Sequence, residues 1–426
     1  MVAFVAQSVS RSPADAPSDV VDAVVLGAGV IGTASAYALA RRGLTVALVD
    51  RNPGAALGTS FANGAQLSYA YSDTLGSPAL LRKLPALALG ADPLFRIRPW
   101  IDPDMARWGL SFLRHCSRES QLKGTLDTLA LALESQAALH ALLERHPIEF
   151  GHAEAGKMHL YFDRESLAGA EPMVAAKRAH GAQQHILSAA EAIAIEPALT
   201  QSEGLVGAVY SPYDAVGDPH RFSRGLAEVL ARDYGVQLQF DTPVVGVDFA
   251  ADEVRVRGAG GQCIRGRVLL VALGVDAGRF LASLGIQTSI QPLKGYSFTA
   301  PEGPCAPTVS LTDTLRKLVF CRLSGSMRIA GGAELGVWNT RIATARIDAL
   351  IAAARASLPE AADYHALESR WAGLRPMSPD SVPVIRRPRE RLVVNIGHGM
   401  LGWTLAMGAA ERTAALVTEH REAAEA

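Results

Sequence analysis

Three stretches far apart in the chain carry residue types whose chemistry belongs together. Gly27, Gly29 and Gly32 follow an apolar run in the pattern G-x-G-x-x-G, with Ala28, Val30 and Ile31 filling the gaps. The first glycine permits a tight turn, the second lets backbone approach a pyrophosphate, and the third lets a helix pack closely on a strand. A pyrophosphate placed there faces free N–H groups and the positive end of a helix dipole. Asp50, 18 residues after Gly32, stands where a carboxylate can accept hydrogen bonds from a ribose. The second stretch is Gly397-His398-Gly399-Met400-Leu401-Gly402-Trp403-Thr404, a strand–glycine–helix junction whose N–H groups can stabilise negative charge. The third is Gly373-Leu374-Arg375-Pro376, where an arginine on a rigid element suits two-point capture of a carboxylate. Together they predict a site for a dinucleotide and an anionic small molecule.

Such a site needs a βαβ unit near the start of the chain. Residues 23–26 and 46–49 read as apolar strands, with a helix between them that ends at Gly43. The donor-rich loop that follows, with Arg51 before it, supplies Thr59, Ser60, Asn63, Gly64, Ala65, Gln66 and Leu67 as further cofactor contacts. Residues 267–273 form a fully apolar run with Ala272 near its end and Gly274 beyond it, as expected of a buried parallel strand returning to the first sheet. Helices are expected over 119–145, 164–180, from Asp218-Pro219 to about 234, and over 341–357 and 402–419. Residues 157–162, 205–210, 236–247, 253–256, much of 291–334, 368–376 and 392–397 read as strands. Gly258 to Gly261 is turn chemistry, because no helix follows it. The expected fold is α/β: a Rossmann-type nucleotide domain from segments 21–90, 200–290 and 365–426, intertwined with a mostly antiparallel α+β substrate domain from 91–199 and 291–364. Residues 1–20, rich in Ser, Ala, Pro and Asp, read as a flexible tail.

Composition narrows the function classes. A chain of 426 residues, 49% hydrophobic and 19% charged, can bury a sizeable core. Its net charge of −1 argues against a nucleic-acid surface. The four cysteines are scattered without metal spacing, which fits reduced thiols in a cytoplasmic compartment. No apolar run approaches the length needed to span a bilayer. Residues 77–115, however, alternate Leu80, Leu81, Leu84, Leu94, Phe95, Ile97 and Trp100 with Arg82, Lys83, Arg96 and Arg98. That mixture can lie on an anionic membrane surface, or it can form a half-buried lid whose bases snorkel.

The motifs VVLGAGVIG, VALVDRNPG, GTSFANGAQLS, PLKGYS, WAGLRPMSPD and NIGHGMLGWT together resemble the bacterial D-amino acid dehydrogenase family. That family sits within the D-amino acid oxidase, glycine oxidase and sarcosine oxidase group of flavoproteins. The resemblance runs from about residue 22 to 420 and does not include the N-terminal tail. It implies FAD, oxidation of a D-amino acid to an imino acid, and electrons passed to a quinone or another non-oxygen acceptor. It implies that the enzyme is cytoplasmic or peripheral on the inner face of the cell membrane. By the same resemblance Gly27, Gly29, Gly32 and Asp50 hold the adenosine and pyrophosphate half, although Asp50 stands where Glu is commoner. Residues 64–67 run beside the flavin ring, Val245 lies near the adenine, and Gly397 and Gly399 to Thr404 contact the pyrimidine edge. Arg375 matches the arginine that binds the substrate carboxylate. Tyr296 is a second carboxylate or wall residue, Tyr69 and Tyr71 are lid or wall candidates, and His398 is a turn histidine or a base.

Little acid–base equipment is needed for such chemistry, since the cofactor carries the difficult step. Rival readings are a D-hydroxyproline dehydrogenase, a subunit of a heteromeric amine or opine oxidase, and a non-catalytic FAD-binding scaffold. Arg375 speaks against the scaffold, which has no use for a carboxylate receptor. An NAD-linked enzyme is disfavoured because no second nucleotide site is present.

Overall fold

A computed structural model describes residues 20–88, 94–97 and 102–425. Residues 1–19, nearly all of the expected tail, lie outside them, as do Arg98 and Trp100 and the side chain of Lys83.

The first strand, Val21–Leu26, pairs in parallel with Val46–Val49 on one side and Cys263–Val271 on the other. Val46–Val49 and the Val268–Val271 end of the other strand are continuous apolar runs, because a parallel strand in this position is covered on both faces. Leu392–Ile396 adds a further parallel strand beyond Cys263–Val271, and Gln237–Gln239 one beyond Val46–Val49. Three strands, Val244–Phe249, Val254–Gly258 and Val384–Arg389, complete an eight-stranded sheet among the described residues. Helix Val30–Ala40 packs across this sheet and against the helices Pro219–Tyr234 and Gly402–Glu425. Pro219–Tyr234 begins as the sequence predicts, with the Asp218 side chain accepting from the N–H groups of His220 and Arg221. The long helix Arg118–Arg145 approaches Gly402–Glu425 at Gly408, where a Cβ would stand 2.6 Å from the Leu131 carbonyl oxygen.

A second sheet of nine strands among the described residues is mostly antiparallel. Its order places Ser369–Met377 at one edge, then Gln291–Pro301, Ser326–Leu335, Leu318–Leu323, Ser310–Asp313, Lys157–Tyr161 and Gly207–Ser211. One face packs on helices, with Met158, Leu160, Tyr296, Phe298, Phe320, Ile329 and Ile347 in its core. The other face turns toward the nucleotide domain. Strands Gly207–Ser211 and Ser369–Met377 both belong to this second sheet. The expected segment boundaries at 200 and 365 therefore do not coincide with the sheets.

Candidate functional site

A cavity of about 1490 Å³ lies between the glycine-rich edge of the first sheet and the open face of the second. The first motif forms one end of it. Gly27 has φ +99°, and a Cβ there would stand 2.5 Å from the Ala272 carbonyl oxygen. A Cβ on Gly32 would stand 1.6 Å from the Gly27 carbonyl oxygen. Those two glycines are required by the protein's own packing. At Gly29, among the described residues, such a Cβ would meet only Ser60 Oγ within 4 Å, at 3.6 Å, so its absence keeps open the space in front of the helix. Helix Val30–Ala40 has no acidic residue in its first turn, and only Ser60 Oγ reaches in, accepting from the Val30 N–H at 3.2 Å. Its positive end therefore faces the cavity. Asp50 is fixed by the N–H groups of Ala28 (2.6 Å) and Asn52 (2.9 Å), which leaves carboxylate lone pairs for a ribose.

Gly27, Gly29, Val30, Ile31, Asp50, Arg51, Thr59, Ser60, Asn63, Gly64, Ala65, Gln66, Ala272 and Gly274 all line this cavity. Gly399, Met400, Leu401, Gly402 and Thr404 line it too. Ala28, Gly32, Leu67 and Gly397 stand behind the wall: the Ala28 N–H holds Asp50, and Leu67 is in the core. Gly397 supplies the φ of +78° that the turn requires. Val245 is a correction. A register shift between Val244 and Gly246 turns its side chain outward, and Thr242, Pro243 and Val244 line the cavity in its place.

At the opposite end, strand Ser369–Met377 presents Arg375. Its backbone pairs with Leu293 on Gln291–Pro301, and two glycines, Gly295 and Gly373, face each other two residues along the same ladder. A Cβ on Gly295 would stand 2.3 Å from Arg375 Nη2, and one on Gly373 would stand 2.0 Å from the Trp371 ring. The guanidinium and the indole thus fold over a bare glycine pair from its two ends, and both line the cavity. Glycine inside a strand weakens it and marks a close approach; here the approaching groups are side chains of the site itself. Arg375 donates one long hydrogen bond, to the Gly332 carbonyl at 3.4 Å, and no carboxylate among the described residues pairs with it. Burial pushes its pKa down to about 10, so it stays a cation at neutral pH. Gly295→Ala should therefore leave the fold intact, since the obstructed atoms end a flexible side chain. It should displace the guanidinium and lower kcat/KM by about 1.4 kcal/mol or more, tenfold, with unchanged cofactor content by absorbance.

The tyrosine candidates separate. Tyr71 lines the cavity, stacked on His159 with ring centroids 3.9 Å apart. Tyr69 does not; it is buried in the first domain's core. Tyr296 is a correction as well: it follows Gly295 in the strand, so alternation turns it to the helix-covered face, where its hydroxyl donates to Glu334 at 2.6 Å. His398 lines the cavity but is buried, its backbone bridged to Met377. Burial pushes its pKa down to about 3, so it is neutral at neutral pH.

Leucines and a phenylalanine from the described parts of the segment after Thr74 form another wall. Leu75, Leu80, Leu87, Leu94 and Phe95 line the cavity, while Arg82 and Arg96 are exposed. Helix Pro103–Arg114 braces the carboxyl end of the Arg375 strand, with Trp108 stacked on Phe112 and its Nε1 donating to the Met377 carbonyl at 2.9 Å. Several lining residues were not singled out by the sequence: Lys157, His159 and the loop Asn339 to Ile342 lie outside the motifs, while Ser68 and Trp371 stand at the ends of two motifs without an assigned role. Lys157 and His159 show only in the alternation of strand Lys157–Tyr161, whose Met158 and Leu160 face the core.

The model of the family described as DAO, FAD dependent oxidoreductase, matches residues 22–416. This chain belongs to that family. It is 39% identical over 411 residues to D-amino acid dehydrogenase 2 of Ralstonia nicotianae, covering 94% of this chain and 97% of that protein. It is 39% identical over 406 residues to D-amino acid dehydrogenase of Paramagnetospirillum magneticum, covering 93% and 94%. Among solved structures, glycine oxidase from Geobacillus kaustophilus superposes with a TM-score of 0.74 at 23% identity, covering 94% of this chain and 95% of that one. L-proline dehydrogenase from P. horikoshii gives 0.74 at 18% identity, covering 94% of each. These two share the fold. The residues present fit the FAD of this oxidoreductase family: an unobstructed cradle at Gly29, a positive helix end above it, and a fixed carboxylate at Asp50.

Proposed function

We propose that this FAD-dependent oxidoreductase is a D-amino acid dehydrogenase, oxidising a D-amino acid to an imino acid that hydrolyses to a 2-oxo acid and ammonia. The observation that carries the reading is Arg375, a half-buried guanidinium in the cavity wall without a carboxylate partner among the described residues. Leaving such a charge unpaired is costly, and an incoming carboxylate supplies the missing acceptors. The curated relatives named above add the substrate class.

FAD supplies a hydride acceptor at N5 when bound. Gly27 to Ile31, Ser60 and Asp50 hold its adenosine and pyrophosphate half. Gly399 to Thr404 and residues 63–66 border the ring. Arg375 would hold the substrate carboxylate and so orient Cα toward the acceptor, the positioning that transfer requires. Trp371, Leu293 and Leu80 exclude water around it. No protein base need take the amine proton, because apolar surroundings favour the neutral amine. Under anaerobic conditions a panel of D-amino acids should bleach the flavin while their L-enantiomers leave it yellow. Bleaching by L-amino acids alone would overturn the substrate assignment.

The electrons leave, in this reading, to a quinone-type acceptor at an anionic membrane surface. No described helix is long and apolar enough to cross a membrane. Support for peripheral contact comes from the outer side of the helices Pro78–Ala88 and Pro103–Arg114, which expose Leu81, Leu110 and Leu113 beside Arg82, Arg107 and Arg114. The inward-facing leucines of the same stretch serve the cavity, so one segment is both lid and docking face. Each basic residue near such a surface contributes about 1 kcal/mol. Changing Arg82, Lys83, Arg96 and Arg98 to Gln should weaken binding to anionic vesicles and its salt dependence, with the amino acid half-reaction unaltered. Equal partitioning of both proteins at low salt would leave this segment as a lid only. No disulfide joins the four cysteines among the described residues, which suits a reducing cytoplasmic setting.

A further inference from the structure

Beside the glycine–helix junction lies a cation that the reading above does not use. Lys157 is 3% exposed and lines the cavity from the strand Lys157–Tyr161. Its Nζ donates to Ser68 Oγ at 2.7 Å, and the Ser68 N–H donates to Thr404 Oγ1 at 2.9 Å. Thr404 stands in the first turn of helix Gly402–Glu425, which carries no acidic residue there. Two hydrogen bonds thus connect a buried ammonium to the junction expected at the pyrimidine edge of the flavin.

The neighbouring charges offset it only in part. Lys177 pairs with Asp73 at 3.1 Å. Asp214 is the main opposing charge; burial pushes its carboxyl up to about 6, so it is still largely ionised at neutral pH, but it makes no ion pair with Lys157. His159, on the same strand face, is buried with neither ring nitrogen hydrogen-bonded among the described residues, and burial, with the two lysines, holds its pKa well below the usual value, so it is neutral. Below the ammonium lies the Tyr71 ring, its centroid 4.8 Å from Nζ. The cation therefore has an aromatic face on one side and the cavity on the other. Burial pushes Lys157 down only to about 8, so it is charged at neutral pH.

We propose that Lys157 sets the reduction potential of the bound flavin, its buried ammonium stabilising the negative charge that the ring acquires on reduction. A hydride brings one proton and two electrons from the substrate Cα, which becomes the imine carbon. The ring so gains one net negative charge unless it takes a further proton. A fixed cation in a poorly screened site opposes that charge with little reorganisation. Lys157 is a positioning residue here, acting through its field and through Ser68 rather than by touching the reacting atoms. The inference rests on the reading that the Gly399–Thr404 junction borders the flavin ring.

Spectroelectrochemical titration of the FAD-replete protein tests it. Lys157→Met should retain flavin and lower the midpoint by about 30 mV or more, a tenfold change in a two-electron equilibrium. Lys157→Arg should recover more than half of that shift, and Ser68→Ala, which frees the ammonium, should move the potential in the same direction by less. A flavin-replete Lys157→Met with an unmoved midpoint overturns the proposal. If that variant loses flavin, Lys157→Gln and Ser68→Ala give the measurement, and two unmoved potentials overturn it equally. Loss of flavin from all three assigns Lys157 to cofactor retention instead and overturns the tuning role. Wild-type flavin bleached by D-amino acids alongside unmoved potentials sinks this inference alone, whereas wild-type protein that binds no flavin sinks the reading beneath it.

Discussion

Arg375→Ala should lower kcat/KM for any D-amino acid substrate by about 3–5 kcal/mol, two to four orders of magnitude. Most of that loss comes from leaving a substrate carboxylate buried without its partner. FAD content should stay normal, because Arg375 stands on the second sheet, at the other end of the cavity from the Gly29 cradle. Arg375→Lys should recover only part of the loss, since an ammonium presents a point charge where the guanidinium presents a fork. Gly295 sharpens the expectation. The bare strand beneath the guanidinium is shaped for a flat group, and a lysine side chain has no comparable surface to lie on. Steady-state kinetics on flavin-replete variants, with flavin absorbance measured in parallel, provide the check. An alanine variant within tenfold of wild type would remove Arg375 from the carboxylate role.

The second large effect is expected at the opposite end. Gly29→Val should yield a folded protein without flavin. At Gly27 and Gly32 an added side chain meets the protein's own backbone, so substitution there would confuse cofactor loss with misfolding. At Gly29 the backbone is in an ordinary extended region, φ −67° and ψ 176°, and a new side chain enters only the space in front of the helix. The purified variant should be colourless, with far-UV circular dichroism like that of wild type. Bound flavin at wild-type stoichiometry would show that the pyrophosphate does not lie over Gly29.

The sequence by itself determined the nucleotide half. Its information is local: a strand, three glycines, a helix and an acid lie within thirty residues, and each glycine's reason is a short-range clash or its absence. Arg375 and the Gly397–Thr404 junction were legible for the same reason, as unusual residues inside short apolar runs. Helix limits such as Asp218 and Tyr234 followed from capping chemistry.

Tertiary structure alone decided which side of a strand each candidate serves. Tyr296 and Gly295 adjoin in one motif, yet the pleat sends one to the core and leaves the other under the guanidinium. A bulge at Val245 moves the lining residue to Val244, and no local pattern announces a register shift. The inward turn of Leu80 and Leu94 was equally hidden, because an apolar–basic segment reads alike whether its leucines face a bilayer or a cavity. Lys157 is the extreme case. A lone lysine in an alternating strand is ordinary in sequence. Its meaning comes from Ser68 and Thr404, 89 and 247 residues away along the chain, which only the assembled sheets bring beside it.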